Sequence, residues 1–131
     1  MIKQVTAALI TRGEEILCCQ RTEHQTLPLK WEFPGGKIEA GEDAPAALHR
    51  ELDEELGISA HIGRKVAQLQ HRYANGNAVE LHFYLVEGYE GEMQNRIFRE
   101  IRWVARRELP GLDFLDADRK LVQQLANGEL L

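Results

Sequence analysis

Three glutamates of one segment, Glu51, Glu54 and Glu55, are spaced so that they could act together on a ligand. If the segment is helical, each residue advances about 100° and the three carboxylates share one arc of roughly 100°. Like charges at this spacing cost helix stability, and a divalent cation would remove that cost by binding the carboxylate oxygens. Magnesium suits such a set, because it accepts a few carboxylates and completes its octahedron with water and phosphate oxygens. From the residues alone, the alternative is an acidic helix face in contact with solvent.

The acidic residues of the chain are concentrated around these glutamates. Seven acids and one base, Arg50, lie between residues 39 and 55, whereas the whole chain of 131 residues carries a formal net charge of −5. The rest of the chain is therefore close to neutral. An anionic substrate would be repelled by the acidic segment until cations bind there. This balance predicts neither a nucleic-acid polymer nor an anionic membrane as a partner.

A helix must position the three glutamates, and the sequence predicts where it begins and ends. Asp43 is the expected N-cap and Gly57 the expected C-cap. Leu48, Leu52 and Leu56 repeat every four residues beside the acidic arc. They would anchor the helix to a buried surface, so that the carboxylates lie at the edge of that surface.

The rest of the chain predicts strands on both sides of this helix and one further helix at the end. Strands are expected over residues 3–11, 15–20, 61–73, 79–89 and 100–104, with a turn at 12–14, a loop at 22–30 and a hairpin at 75–77. Irregular backbone is expected around Pro34. Asp116 is the expected cap of the last helix, which would bury Leu121, Val122 and Leu125. Together these elements predict one α+β domain over residues 1–131, a mixed β-sheet packed between helices as in an α/β/α sandwich.

The remaining bulk features exclude several classes of protein. Cys18 and Cys19 are adjacent, so in a strand they would point to opposite faces and form no disulfide. Spaced cysteine and histidine ligands for zinc are missing. The apolar stretch at residues 7–10 is too short for a signal peptide or a membrane span. We therefore expect a reduced, cytoplasmic protein without a membrane partner.

Residues 36–58 resemble the signature of the Nudix hydrolases. Its fixed positions are matched by Gly36, by Glu42 and by the run Arg50-Glu51-Leu52-Asp53-Glu54-Glu55-Leu56-Gly57-Ile58. So many matches at fixed spacing are very improbable by chance. The preceding Glu32-Phe33-Pro34-Gly35-Gly36-Lys37 is similar to the MutT-type nucleoside triphosphate pyrophosphohydrolases. The pattern is closest to the members that act on CTP or oxidised nucleotides, and the similarity covers essentially the whole chain.

This resemblance implies a hydrolase that depends on Mg²⁺ or Mn²⁺. The expected substrate is a nucleoside triphosphate, CTP- or dCTP-like or an oxidised or methylated dNTP such as 8-oxo-dGTP. The products would be the monophosphate and pyrophosphate, as in sanitation of the nucleotide pool. Glu51, Glu54 and Glu55 would be metal ligands, with the backbone carbonyl of Gly35 as a further ligand. Arg50 would orient Glu51 through a charge-assisted bond, and Glu51 and Glu54 are both candidates for the general base.

The resemblance also implies residues that contact the nucleotide. Lys37 and Arg21 would bind phosphate, and Phe33 and Asp118 would contribute to base recognition. Asp118 matches a position where MutT-type enzymes for oxidised guanine have asparagine and CTP-type relatives have aspartate. An ionised aspartate only accepts hydrogen bonds, which favours an amino-bearing edge such as cytosine N4. The alternatives are a core position for Phe33 and a place for Asp118 in the first turn of the last helix.

One departure from the family pattern lies in the loop before the last strand. MutT-type and CTP-type relatives commonly carry a glutamate there, whereas counting back from Trp103 this chain has Ile97, followed by Glu100. The general base, the number of metals and the phosphorus attacked therefore stay open. So do two other functions, a Nudix hydrolase for ADP-ribose or dinucleoside polyphosphates and a catalytically silent nucleotide-binding module. Both a monomer and a homodimer are compatible with the sequence.

Overall fold

The computed structural model describes residues 2–131, which form nine strands, two α-helices and two short 3-10 helices. The strands are β1 (Ile2–Arg12), β2 (Glu15–Gln20), β3 (Trp31–Glu32), β4 (Gly35–Lys37), β5 (Ser59–His61), β6 (Lys65–Arg72), β7 (Ala78–Val86), β8 (Gly88–Glu90) and β9 (Glu100–Ala105). The α-helices are α1 (Ala44–Leu56) and α2 (Arg119–Ala126), and the 3-10 helices are Arg106–Gly111 and Asp116–Asp118. Within residues 2–131, no helix has the length and apolar character needed to cross a membrane.

Seven strands form one mixed sheet. Its order is β3-β2-β1-β7-β6, with β4 paired to β1 and β9 paired to β2. The central pair, β1 and β7, is parallel, and the other pairs are antiparallel. Strands β5 and β8 form a separate two-stranded sheet. The predicted mixed sheet with helices on its faces is confirmed.

The two helices pack on opposite faces of this sheet. Alternate side chains of β1 and β2 supply the two faces, because successive residues of a strand point in opposite directions. The α2 face buries Ala7, Leu9, Ile16 and Cys18 with Leu121, Val122 and Leu125. The α1 face buries Ala8, Ile10, Leu17 and Cys19 with Leu48, Leu52 and Leu56. The two cysteines thus lie on opposite faces with free thiols, as predicted.

Helix α1 has the predicted ends. The side chain of Asp43 accepts a hydrogen bond from the N–H of Ala46 at 2.8 Å, and Pro45 occupies the first turn. Gly57 follows the helix with φ of 68°, a left-handed conformation that glycine adopts without strain. The N–H of Gly57 donates to the carbonyl of Asp53 at 3.0 Å. The local sequence therefore fixes both ends of the helix that carries the acidic residues.

Two of the predicted strands were wrong in their extent. The segment predicted as one strand over 61–73 is divided into β5 and β6, and the segment over 79–89 into β7 and β8. The division occurs where the chain passes very close to β7. The N–H of Gly63 donates to the carbonyl of Leu85 at 2.8 Å, and a Cβ at Gly63 would lie 2.7 Å from that oxygen. On one side of Gly63, β6 pairs with β7, and on the other side β5 pairs with β8. The alternation of apolar and polar residues along a strand does not reveal such a change of partner.

The last helix begins later than predicted. Asp116 lies in a 3-10 turn, and α2 starts at Arg119. Instead of capping the helix, the side chain of Asp116 accepts a bond from Arg119 Nε at 3.0 Å. The buried face of α2 is as predicted. The region around Pro34, predicted as irregular, contains the short strands β3 and β4 on either side of that proline.

Candidate active site

Two glycines bring the loop before α1 into close contact with β1 and with the acidic helix. Gly35 has a φ of 153°, and a Cβ there would lie 2.0 Å from the backbone oxygen of Thr6. A Cβ at Gly36 would lie 2.5 Å from the carboxylate carbon of Glu51. A larger residue at either position would displace backbone or carboxylate. The pair Gly35-Gly36 therefore sets how closely the loop approaches the glutamates.

Glu51 and Glu55 lie side by side against this loop. Glu55 is 8% exposed, and its Oε1 accepts a hydrogen bond from the N–H of Gly35 at 3.2 Å. Burial, and then the neighbouring charge of Glu51, raise the pKa of Glu55 to about 9, although the Gly35 hydrogen bond acts in the opposite direction. A carboxylate that is unfavourable in the protein alone becomes favourable when a cation binds beside it. The pair is thus prepared for a positive ligand.

Arg50 connects the acidic residues of the helix to the preceding loop. Its guanidinium donates to Glu42 at 2.7 and 2.9 Å, to Glu51 at 3.0 Å and to the backbone carbonyl of Lys37 at 3.1 Å. A longer contact of 3.4 Å reaches Glu54. These bonds, that with Glu42 foremost, raise the pKa of Arg50 above its usual value. The expected contact between Arg50 and Glu51 is present, whereas the role of Glu42 as its strongest partner was not predicted, although Glu42 is a fixed position of the signature.

The third glutamate stands apart from this pair. The side chain of Glu54 is 59% exposed. Within residues 2–131, no three His, Cys, Asp or Glu side chains converge closely enough to enclose a metal ion. Mg²⁺ does not need such an enclosure, since it usually binds one or two carboxylates and fills its other positions with water and phosphate oxygens. The adjacent oxygens of Glu51 and Glu55, with Glu54 one turn of helix away, fit a hard divalent cation bound in this way.

The two predicted phosphate-binding residues are placed differently from each other. Lys37 is exposed at the end of β4, and its ammonium takes part in no ion pair among residues 2–131. The guanidinium of Arg21 instead donates to Glu32 at 3.2 Å and to the backbone carbonyl and hydroxyl of Thr26 at 2.8 and 3.1 Å. Arg21 thereby holds the loop over residues 22–30 against β3. A phosphate contact by Arg21 would require it to exchange these partners.

Asp118 is buried. Its carboxyl group accepts no hydrogen bond from residues 2–131. It is 5% exposed, and burial, followed by the charge of Glu32, raises its pKa to about 8. The charge of Asp118 acts in turn on Tyr73 and Cys18, raising the pKa of both in addition to the effect of burial. The oxygens of Asp118 are not among the fully buried unpaired side-chain atoms of residues 2–131, which are Thr6 Oγ1 and His82 Nδ1, so water or a ligand can reach them. The unpaired carboxyl of Asp118 therefore suits the hydrogen-bonding edge of a ligand.

The ring of Phe33 lies in the hydrophobic core. It is 5% exposed, with its centroid 5.1 Å from that of Phe114 and 6.3 Å from that of Phe83. The ring thus occupies the core position given as the alternative, and a part of Phe33 in base recognition stays a prediction.

The loop before β9 supplies no carboxylate to the acidic pair. Ile97 is 47% exposed, and Glu100 lies in β9, where it accepts a hydrogen bond from Arg102 Nε at 2.9 Å. What the loop does supply was not predicted. Arg96 donates to the backbone carbonyl of Asp53, at the end of α1, at 3.0 Å.

Comparison with known families tests the predicted family and fold. The NUDIX domain model matches residues 1–125. The chain belongs to the Nudix hydrolase family. It is similar to the 8-oxo-dGTP diphosphatase of Haemophilus influenzae, with 39% identity over 128 residues that cover 96% of this chain and 93% of the relative. It is also similar to the CTP pyrophosphohydrolase of Escherichia coli K12, with 37% identity over 120 residues that cover 92% of this chain and 88% of the relative.

The fold comparison agrees with the sequence comparison. The crystal structure of a MutT Nudix hydrolase from Burkholderia pseudomallei superposes with a TM-score of 0.85 at 27% identity, over 95% of this chain and 98% of the other. The predicted Nudix fold and the predicted membership in the nucleoside triphosphate pyrophosphohydrolases are confirmed. A catalytically silent module is therefore set aside. Nudix enzymes typically use a divalent metal, and in this Nudix hydrolase the signature segment is the loop and helix that bring Glu51 and Glu55 together.

Proposed function

We propose that this Nudix hydrolase converts a nucleoside triphosphate to the monophosphate and pyrophosphate, with Mg²⁺ or Mn²⁺ held by Glu51, Glu54, Glu55 and the backbone carbonyl of Gly35. The observation that carries the proposal is the Glu51–Glu55 pair, in which the buried carboxyl of Glu55 lies beside that of Glu51, so that the two charges together need a cation to offset them. Such a metal neutralises phosphate charge and makes a bound water a stronger nucleophile. The base is a cytosine or an oxidised or methylated base, read by Asp118.

Each residue of the cluster has a separate task in this proposal. The N–H of Gly35 fixes one oxygen of Glu55, and Arg50 keeps Glu51 aimed at the same place. Lys37, exposed at the end of β4, contacts the phosphate chain as a cation that forms no ion pair among residues 2–131. Of the two candidate bases, Glu51 is bonded to Arg50 at 3.0 Å, whereas the nearest Arg50 contact of Glu54 is 3.4 Å. Glu54 is therefore the carboxylate that accepts the proton of the attacking water.

The environment of Asp118 affects which nucleobase it can bind. The preference for an amino-bearing edge requires an ionised carboxylate, but with a pKa of about 8 the carboxyl group of Asp118 is largely protonated at pH 7. A neutral carboxyl donates one hydrogen bond and accepts another, as an asparagine amide does. It can pair with N3 and N4 of cytosine or with O6 and N7–H of 8-oxoguanine. The names of the two relatives, one for CTP and one for 8-oxo-dGTP, are both compatible with such a carboxyl group.

The test is a Mg²⁺-dependent pyrophosphate-release assay with CTP, dCTP, dGTP, 8-oxo-dGTP and 5-methyl-dCTP, together with ADP-ribose and a dinucleoside polyphosphate. We expect one pyrophosphate per triphosphate and a preference for cytosine or 8-oxoguanine. Asp118→Ala should flatten that preference, and Asp116→Ala, at an exposed acid two residues away, should leave it unchanged. A rate that is equal across bases in the unmodified enzyme would remove Asp118 from recognition. Preferred cleavage of ADP-ribose or of the dinucleoside polyphosphate would contradict the proposed substrate class.

A further inference from the structure

The loop between β8 and β9 is bonded to the end of α1. The last four carbonyls of an α-helix have no partner within the helix. Here the N–H of Gln94 donates to the carbonyl of Leu56 at 2.8 Å, and the N–H of Arg96 donates to that of Glu55 at 3.1 Å. The side chain of Arg96 reaches two positions further back and donates to the carbonyl of Asp53 at 3.0 Å. The loop thus pairs two carbonyls that the helix leaves free, and it adds a second bond to the carbonyl of Asp53, which already accepts from the N–H of Gly57.

The Arg96 guanidinium lies directly against Gly57. A Cβ at Gly57 would lie 2.8 Å from Nη2 of Arg96, so the absent side chain makes room for the guanidinium. Gln94 also accepts a bond from Arg96 Nε at 3.3 Å. A positive charge at this end of a helix is favourable, because the helix dipole places partial negative charge there. Gly57 therefore both ends the helix and admits the cation that stabilises that end.

The loop is itself held in one conformation. The side chain of Asn95 both accepts from the N–H of Phe98 and donates to its carbonyl, each at 2.8 Å. The ring of Phe98 is buried on the α1 face of the sheet. The next N–H, of Arg99, donates to the carbonyl of Gln20 in β2 at 2.9 Å. Arg96 is thus presented to α1 from a segment attached to the main sheet.

We propose that Arg96 is a positioning residue for the cation site. The proposal rests on the proposed function of Glu54 and Glu55, which lie in the helical turn whose carbonyls this loop binds. A carboxylate contributes to metal binding only if the backbone that carries it is fixed, and outer groups that orient ligands affect affinity strongly. At the place where relatives commonly carry a glutamate, this loop presents the exposed Ile97. It acts on the site through the backbone of α1 instead of through a carboxylate of its own.

The experiment compares Arg96→Ala and Arg96→Lys with Arg107→Ala, a change at an exposed arginine far from α1 in sequence and outside the loop. Mn²⁺ binding to the nucleotide-free protein is measured by electron paramagnetic resonance. Amide hydrogen exchange over residues 54–58 is measured in parallel. For Arg96→Ala we expect faster exchange at these amides and a Kd for Mn²⁺ raised about two- to five-fold, the effect of losing one cation at a helix C-terminus. Arg96→Lys keeps the charge and should restore most of the affinity, and Arg107→Ala should match the unmodified protein.

Kinetics separate positioning from substrate binding. Arg96→Ala should raise the Mg²⁺ concentration needed for half-maximal turnover without changing KM for the nucleotide. If that variant proves unstable, Asn95→Ala loosens the loop without removing Arg96, and should shift the Mn²⁺ Kd in the same direction by a smaller factor. Unchanged Mn²⁺ affinity and exchange in Arg96→Ala would overturn the inference, provided that Glu55→Gln loses binding. If the unmodified protein releases pyrophosphate but binds no Mn²⁺, the Arg96 proposal alone is overturned. If the unmodified protein neither binds Mn²⁺ nor releases pyrophosphate, the proposed function is overturned as well.

Discussion

The acidic cluster of α1 and the single carboxyl of Asp118 differ in their hydrogen-bond partners. In the α1 cluster, Arg50 supplies charge-assisted hydrogen bonds to Glu42 and Glu51, and the N–H of Gly35 bonds to Glu55. Asp118, before α2, is buried more completely and has no hydrogen bond to its carboxyl group within residues 2–131. The first group is a set of adjacent carboxyls, among them Glu55 with its raised pKa, whose charged forms become favourable when a cation binds beside them. The second is a single carboxyl that favours its neutral form.

The difference shows how the same side-chain chemistry is put to two uses. Several carboxylates with one arginine keep a net negative charge, which only a cation ligand offsets. Burial, and then the charge of Glu32, raise the pKa of Asp118, so this lone carboxyl retains its proton and is both a donor and an acceptor of hydrogen bonds. One group suits the metal and phosphates of a nucleotide, and the other suits its base.

The largest expected effect breaks the cluster by removing one of its charges. Glu54→Gln or Glu55→Gln should each reduce Mg²⁺-dependent turnover by about a hundred- to a thousand-fold, the range for losing one group that stabilises transition-state charge. The matched control is Asp53→Asn, the same acid-to-amide change at the exposed acid that precedes them. It should stay within about two-fold of the unmodified enzyme, as surface substitutions usually do. Retained activity in both glutamine variants would refute the assignment of the cluster.

A smaller effect is expected when the cluster keeps its charges but loses its geometry. In Gly36→Ala the new methyl group would lie 2.5 Å from the carboxylate carbon of Glu51 and force it to move. We expect turnover to fall about ten- to a hundred-fold, comparable to loss of a group that orients metal ligands. Gly88→Ala is the control, because a Cβ there meets no atom within 4 Å. Equal activity of both variants, measured by pyrophosphate release, would show that the position of Glu51 is not critical.

The smallest of these effects concerns Asp118 and the pH dependence of stability. Its pKa is about 8 in the folded protein and near 4 in an unfolded chain. Between these values the unfolded state binds fewer protons than the folded state, so stability falls as pH rises from about 4 to about 8. Asp118→Asn removes this titration. The decline in the free energy of unfolding from pH 6.5 to pH 8, measured by urea denaturation, should be about 1 to 2 kcal/mol less in the variant. Equal declines would indicate an ordinary pKa for Asp118.

The α1 cluster was largely predictable from the sequence, because its geometry depends on local rules. Helical spacing places Glu51 beside Glu55, and the caps Asp43 and Gly57 fix the ends of the helix. The environment of Asp118 was not predictable. Its neighbour Glu32 is far away in the sequence and is brought close where Trp31 of β3 pairs with the segment at Phe114 and Leu115.

The other departures from prediction also arise from long-range contacts. Arg21 was predicted to bind phosphate, but its guanidinium is bonded to Glu32 and Thr26. The strand over residues 61–73 is interrupted because Gly63 passes against Leu85. For Arg96 the sequence offers no signal, since arginines follow it nearby and only the fold shows which one reaches α1. Local patterns specified elements and motifs, and packing decided which side chains have partners.

The central claim is that Glu51 and Glu55 form a divalent-cation site, and Mn²⁺ binding tests it most directly. Electron paramagnetic resonance of Mn²⁺ with the nucleotide-free protein reports occupancy without any substrate. The account predicts binding by the unmodified protein and by Asp53→Asn, and a loss of affinity of about ten-fold or more in Glu55→Gln. Equal Mn²⁺ affinity in Glu55→Gln and Asp53→Asn would contradict it.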